Sequence, residues 1–279
     1  MFDRLSRSWN LVKASATVLR QDKHLLVFPL FSGLASLAVV LCFALPIFGL
    51  KAYDHLDGNN AMVYSTAFLF YVVQYFVIFY FNVALVGATM IRMDGGAPTL
   101  GDGLRIANSR LGPILGYAVI AATVGVILRA IQERVGFLGR IIVGMLGVGW
   151  TIATFLVVPV LAVRDQGPID SIKDSAGMLK RTWGENVIGQ AGMSLVFGLL
   201  FVGMFIVGAA LIVLVAQTGS GVLSVGMVLL VGVAFLLAFL VQSALSGVYS
   251  AALFRYADKG YASTGFDNSA LQGAFEPKN

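Results

Sequence analysis

Side chains able to do chemistry are few and scattered. The two histidines, His24 and His55, flank the first apolar run and so fall on opposite sides of whatever that run crosses. Asp54, His55 and Asp57 cluster just beyond it. An Asp-x-x-Asp pair around a histidine can bind a cation weakly, but a solvated loop is the better reading. The one cysteine, Cys42, excludes an internal disulfide and any multi-cysteine metal site. It lies in an apolar run and reads as a buried small hydrophobe. No G-x-S-x-G, H-E-x-x-H or phosphate-loop spacing occurs. The expectation is no catalytic residue, no metal, no cofactor and a non-enzymatic protein.

The segments around these residues explain the scarcity. Of 279 residues, 58% are hydrophobic and 12% charged, against about 25% charged in an ordinary soluble domain. The charges are also segregated. Uncharged runs long enough to cross about 30 Å of hydrocarbon alternate with short charged stretches. The runs predict six transmembrane helices at about 25–50, 63–91, 111–128, 141–163, 187–216 and 222–253. The last two are separated only by the turn residues Gln217-Thr-Gly-Ser-Gly221. Residues 1–256 read as a single transmembrane domain and 257–279 as a polar, disordered tail. The N-terminus does not read as a signal peptide, because its first apolar run starts late and lasts too long.

No ionisable residue interrupts the six runs, which argues against a proton- or ion-coupled mechanism. Uncharged polar groups do occur there: Gln74 and Asn82 in span two, on one helical face with Ile78, then Gln190 in span five and Gln242 in span six. Two readings stay open. They line a pathway for a lipid or solute, or they make interhelical hydrogen bonds worth about 1 kcal/mol or less each. Gly112 with Gly116, Gly144 with Gly147 and Gly149, and Gly198 with Gly203 and Gly208 predict close helix contacts.

Of the 19 Lys and Arg residues, all but Lys51, Arg129, Arg134 and Arg140 fall on one side of this topology. The positive-inside rule makes that side, with both termini, cytoplasmic. The net charge of +5 follows from this bias, and no nucleic-acid motif accompanies it.

Three cytoplasmic segments show helical apolar spacing. They are Phe2, Leu5, Trp9, Val12, Ala16 and Leu19; Leu100, Leu104, Ala107 and Leu111; and Ile169, Ile172, Ala176, Leu179 and Trp183. Beside them stand Arg4, Arg7, Lys13, Arg20, Arg105, Arg110, Lys173, Lys180 and Arg181. Such helices are expected in the headgroup layer, their basic residues on anionic lipids. The rival reading packs the apolar faces on one another as a cap, with Trp9 and Trp183 in its core.

The segments also resemble each other. Asp3-x-Leu5-x-x-Ser8 lies over Asp102-x-Leu104-x-x-Ala107 and Asp170-x-Ile172-x-x-Ser175, and each Asp suits a helix N-terminus. The fold class is therefore all-α: a polytopic bundle of six spans and three amphipathic interfacial helices, with a threefold repeat of helix plus two-span hairpin. Against the repeat, the Asp residues are spaced 99 and then 68 apart, and any basic entry to a hairpin looks amphipathic.

Pro159-Val-Leu-Ala-Val-Arg-Asp165, Gly167-Pro-Ile-Asp-Ser-Ile-Lys-Asp-Ser175 and Leu179-Lys-Arg-Thr-Trp-Gly184 resemble uncharacterised bacterial and archaeal six-span inner-membrane proteins. They are also similar to the membrane region of some glycerophosphodiester phosphodiesterases. The likeness covers the layout of most of the chain and is sharp over 159–184. It implies the bacterial cytoplasmic membrane. The phosphodiesterase catalytic domain is absent, so no activity and no site residue is implied. Two functional expectations follow. The first is a protein that interacts with or organises membrane lipids, membrane-protein partners or copies of itself. The second is a transporter or channel for a lipid-like or neutral solute.

Overall fold

The computed structural model describes residues 15–46, 60–181 and 186–259; the side chains of 60–61, 181, 186–196 and 259 lie outside that description. The N-terminal amphipathic segment is therefore seen only from Ser15, and Arg4, Arg7, Lys13 and Trp9 are not described. A helical stretch at 15–21 leads through a 3-10 turn, Lys23–Leu26, into α1, Val27–Ala44. There follow α2, Asn60–Met93; α3, Leu100–Ser109; α4, Leu111–Arg134; α5, Phe137–Ala153; α6, Val157–Val163; α7, Pro168–Arg181; α8, Asn186–Ala216; and α9, Gly221–Lys259.

All regular structure among the described residues is helical. Six segments are long and apolar enough to cross a bilayer: Lys23–Ala44, Met62–Met93, Leu111–Arg134, Phe137–Val163, Phe197–Ala216 and Gly221–Asp258. The chain is thus a polytopic helical protein of membrane type.

Two span ends lie well beyond the sequence reading. Span three runs past Leu128 to Arg134, because Arg129 and Glu133 pair one turn apart at 3.2 Å and let the helix continue with charges aboard. Span six continues past 253, and the expected tail from 257 begins as helix through Lys259. Ion pairs of Arg255 with Asp94 and of Arg164 with Asp258 hold that last turn.

Span four is two helices. Thr154, Phe155 and Leu156 turn between α5 and α6 with three-residue hydrogen bonds, Phe155 N–H to Ile152 and Val157 N–H to Thr154, both 3.1 Å. Pro159 is the cause within the chain. It has no N–H to return to Phe155, and its ring crowds that carbonyl. The fully buried Ser175 of α7 completes the break, donating to the Ala153 carbonyl at 2.7 Å and accepting the Leu156 N–H at 3.1 Å.

α2 is the hub; α1, α3, α4, α6 and α9 all pack on it. The core is confined to one end of the bundle. It joins Val83–Val86 and Ala88 of α2, Leu156–Leu161 around α6, and Leu245 and Val248–Phe254 of α9, with Leu25 and Phe28. Gly247 lies where α9 crosses α2; a Cβ there would run into the Leu85 side chain. Gly103 of α3 is pressed against Phe28 and the Ala84 carbonyl in the same way. The glycines expected at contacts mostly stand free: nothing lies within 4 Å of a Cβ built on Gly112, Gly144, Gly149, Gly198 or Gly203, although Gly116 and Gly208 do meet Pro168 and Val231. Small residues permit close approach without dictating it, and α8, which packs mainly against α9, has few helices to approach. Gly219, at φ 72°, makes the left-handed turn between the two.

Candidate functional site

The arginines that close the second helix of each hairpin organise the core end. Arg92 reaches Asp22 at 3.0 Å and the Gln21 amide oxygen at 3.2 Å. Arg164 joins Asp174 of α7 to Asp258 of α9, the latter at 2.6 Å, beneath the Phe254 ring at 5.9 Å. Burial works against the Arg164 charge, but Asp258 and Asp174 outweigh it and raise its pKa. Arg255, 10% exposed, pairs with Asp94. Each arginine thus ties its helix to another segment.

The two better-described amphipathic segments lie in this layer. Thr99 and Asp102 form a capping box at the start of α3; the Thr99 hydroxyl bonds to the Asp102 carboxylate at 2.7 Å and lowers its pKa. Asp170 occupies the first turn of α7 behind Pro168. The apolar face of α3 turns largely to α2, with Ala107 fully buried, and that of α7 turns to α4–α6, burying Met178 and Leu179. Only Leu111 and Ile169 remain well exposed.

Of the basic residues singled out in the sequence, Arg20 and Lys180 are exposed. Arg105 is 81% exposed near Asp102, and Lys173 is 71% exposed near Asp170. Arg110 departs from the expectation of a headgroup ligand. It is 17% exposed, with its guanidinium bound to Asp165. Arg181 and Trp183 lie outside the described side chains.

A cleft of about 320 Å³ opens above this layer between α2, α6 and α9. Asn82, Gln242, Ser243, Ser246 and Ser250 line it, with apolar walls from Val86, Phe155 and Phe239. The α9 residues stand at i, i+1, i+4 and i+8, which is one helical face. At 1.5 Å per residue, Ser250 lies about 8 Å and Gln242 about 20 Å along α9 from Arg255. Asn82 lies about 15 Å from Arg92 along α2. The polar stripe therefore climbs from the charged layer toward the middle of the span. Ser250 bonds to the Gly247 carbonyl at 2.9 Å. Asn82, Gln242, Ser243 and Ser246 make no side-chain hydrogen bond to another described residue. Among the described residues no charged side chain lines the cleft.

Asn82 and Gln242, far apart in sequence, are thus brought together. Gln74 is not; its amide oxygen is buried elsewhere, without a hydrogen-bond partner among the described residues. Gln190 lies outside the described side chains. The three serines carried no signal in the sequence beyond their spacing on one face of span six. Cys42 is exposed on the outer surface of α1, where a membrane would cover it, and not buried in protein. Among the described residues no group of three His, Cys, Asp or Glu side chains is placed to hold a metal ion.

No curated protein matches the chain. A family model described as a family of unknown function, DUF6159, matches residues 61–266 and carries no link to the phosphodiesterases. The match takes in every helix from α2 onward, including the cleft and the arginines around it, and on it the chain belongs to the DUF6159 family.

Proposed function

We propose that this is a non-enzymatic integral membrane protein that holds lipid at two levels. Exposed Arg20, Arg105, Lys173 and Lys180 contact anionic headgroups at the cytoplasmic surface of a bacterial inner membrane. The cleft above them accepts an uncharged hydrogen-bonding part of an amphiphile, such as a hydroxyl, ester or amide group. The observation that carries the second level is the set of four polar side chains at membrane depth that have no hydrogen-bond partner among the described residues. In hydrocarbon an unsatisfied amide costs several kcal/mol, so a ligand's polar group, or water, belongs there.

The order of elements, a short helix followed by two spans three times over, supports the repeat. Each of Arg92, Arg164 and Arg255 then closes the second span of its unit.

A second reading is carriage of a lipid-like or neutral solute. It is favoured by the stripe's run from the charged layer to mid-span. Between the cleft and the charged layer the packing around Ala88 and Ala251–Phe254 is tight, so passage needs those helices to part.

Native mass spectrometry of the purified full chain separates the readings from a bare structural role. The wild type retains lipid adducts, and Gln242→Leu with Ser246→Ala loses the one held in the cleft, lowering the number retained, while staying folded. Adducts unchanged in the variant contradict cleft binding. Flux of a labelled neutral lipid across vesicles, abolished by the same variant, selects the carrier reading. Replacing Arg20, Arg105, Lys173 and Lys180 with Gln lowers retention of anionic lipid only, in a salt-sensitive way.

A further inference from the structure

The opposite end of the bundle carries a second cleft, of about 400 Å³, lined by Arg129, Gln132, Glu133 and Arg140. It lies between the last turns of α4 and the first of α5. Arg129 stands about 27 Å along α4 from Leu111 at 1.5 Å per residue. A hydrocarbon layer is about 30 Å thick, so the cleft falls where lipid phosphates lie.

Its charges are held apart by a definite arrangement. Arg129 gives one N–H to Glu133 at 3.2 Å and another to the Tyr71 hydroxyl at 3.2 Å. Tyr71 is itself stacked on Tyr75, and Tyr75 on Phe79. The remaining guanidinium N–H groups of Arg129, which lines the cleft and is 68% exposed, have no partner among the described residues. Arg140 makes no ion pair with another described residue. Glu133 balances one arginine, so the cleft keeps one positive charge in excess. Beside it Phe137 and Leu138 are 77% and 74% exposed, an apolar tip suited to lie among acyl chains. This end holds Arg129, Arg134 and Arg140, where the charge bias of the rest of the chain predicts few basic residues.

We propose that Arg129 and Arg140 form a binding site for a phosphate-bearing group at this end of the bundle. Two guanidiniums across a cleft give a phosphate oxygen fork-shaped donors on two sides. Gln132 adds an amide donor on the same helical turn as Arg129. The group has two sources, a phospholipid headgroup or free phosphate.

The test uses the full chain in a phosphate-free maltoside detergent. It is titrated separately with inorganic phosphate, with short-chain phosphatidylglycerol, and with a sugar-headed lipid of the same chains, and adducts are read by native mass spectrometry. Phosphatidylglycerol binds, and Arg140→Gln weakens it on the order of tenfold. Arg140 has no ion pair to lose among the described residues, so its removal tests the site without removing a structural tie seen there. Arg134→Gln removes the same charge from the same tip but lies off the cleft, and it leaves the affinity within about twofold. Competition by inorganic phosphate identifies free phosphate as sufficient; its failure beside tight phosphatidylglycerol binding assigns the site to lipid. Equal binding of the sugar-headed lipid, or equal loss in Arg134→Gln and Arg140→Gln, overturns the proposal.

Discussion

Ser175 shows how much a small polar side chain does in a membrane bundle. Its hydroxyl serves two backbone groups freed by the break in span four, the Ala153 carbonyl and the Leu156 N–H. Ser175→Ala leaves both unpaired in a buried place, which costs about 1–3 kcal/mol. The expected outcome is a lower melting temperature of the purified chain, with Ser175→Thr recovering part of it. No change in stability contradicts the capping role. In sequence Ser175 stood out only as a repeated position of the amphipathic segments, because a hydroxyl's partner nineteen residues away leaves no local pattern. Asn82 and Gln242 were readable as polar residues inside spans, but their meeting was not. Helix rotation and tilt depend on packing, and no periodicity in one helix reports on another. Arg110 misled for the related reason that Asp165, which neutralises it, is distant in the chain.

Element by element, the spans were readable because length and hydropathy are set by the bilayer rather than by neighbours. Their ends were less so, since Arg129, Glu133 and Asp258 are held by side-chain pairs. The glycines teach the same lesson about contacts. Many are free, whereas Gly247 is required by the Leu85 side chain where α9 crosses α2. Gly247→Val forces that crossing apart, and overpacking of this kind costs about 1–3 kcal/mol. Gly203→Val, which meets nothing within 4 Å, is expected to leave thermal stability in detergent nearly unchanged. Equal destabilisation by the two would contradict the crossing described here.

At the scale of the whole molecule, packing is uneven. Side chains are buried at the end held by Arg92, Arg164 and Arg255, while the long helices α8 and α9 show mostly apolar surface toward the other end. That surface needs lipid around it, consistent with a membrane solvent. The charge bias predicts an orientation for the molecule, and reporter fusions test it. Asp57, Gly136 and Gly219 are expected outside, and Asp102, Asp174 and Asn279 in the cytoplasm. A periplasmic signal at Asp174 contradicts the orientation and moves the proposed headgroup contacts to the other leaflet. The cleft of Asn82 and Gln242 is the feature on which the functional reading turns, and a density map of the full chain in lipid nanodiscs tests it most directly. The predicted result is elongated density entering between α2, α6 and α9, its polar end within hydrogen-bonding distance of Asn82 and Gln242. A cleft closed by protein side chains, with both amides bonded to neighbouring helices, would contradict it.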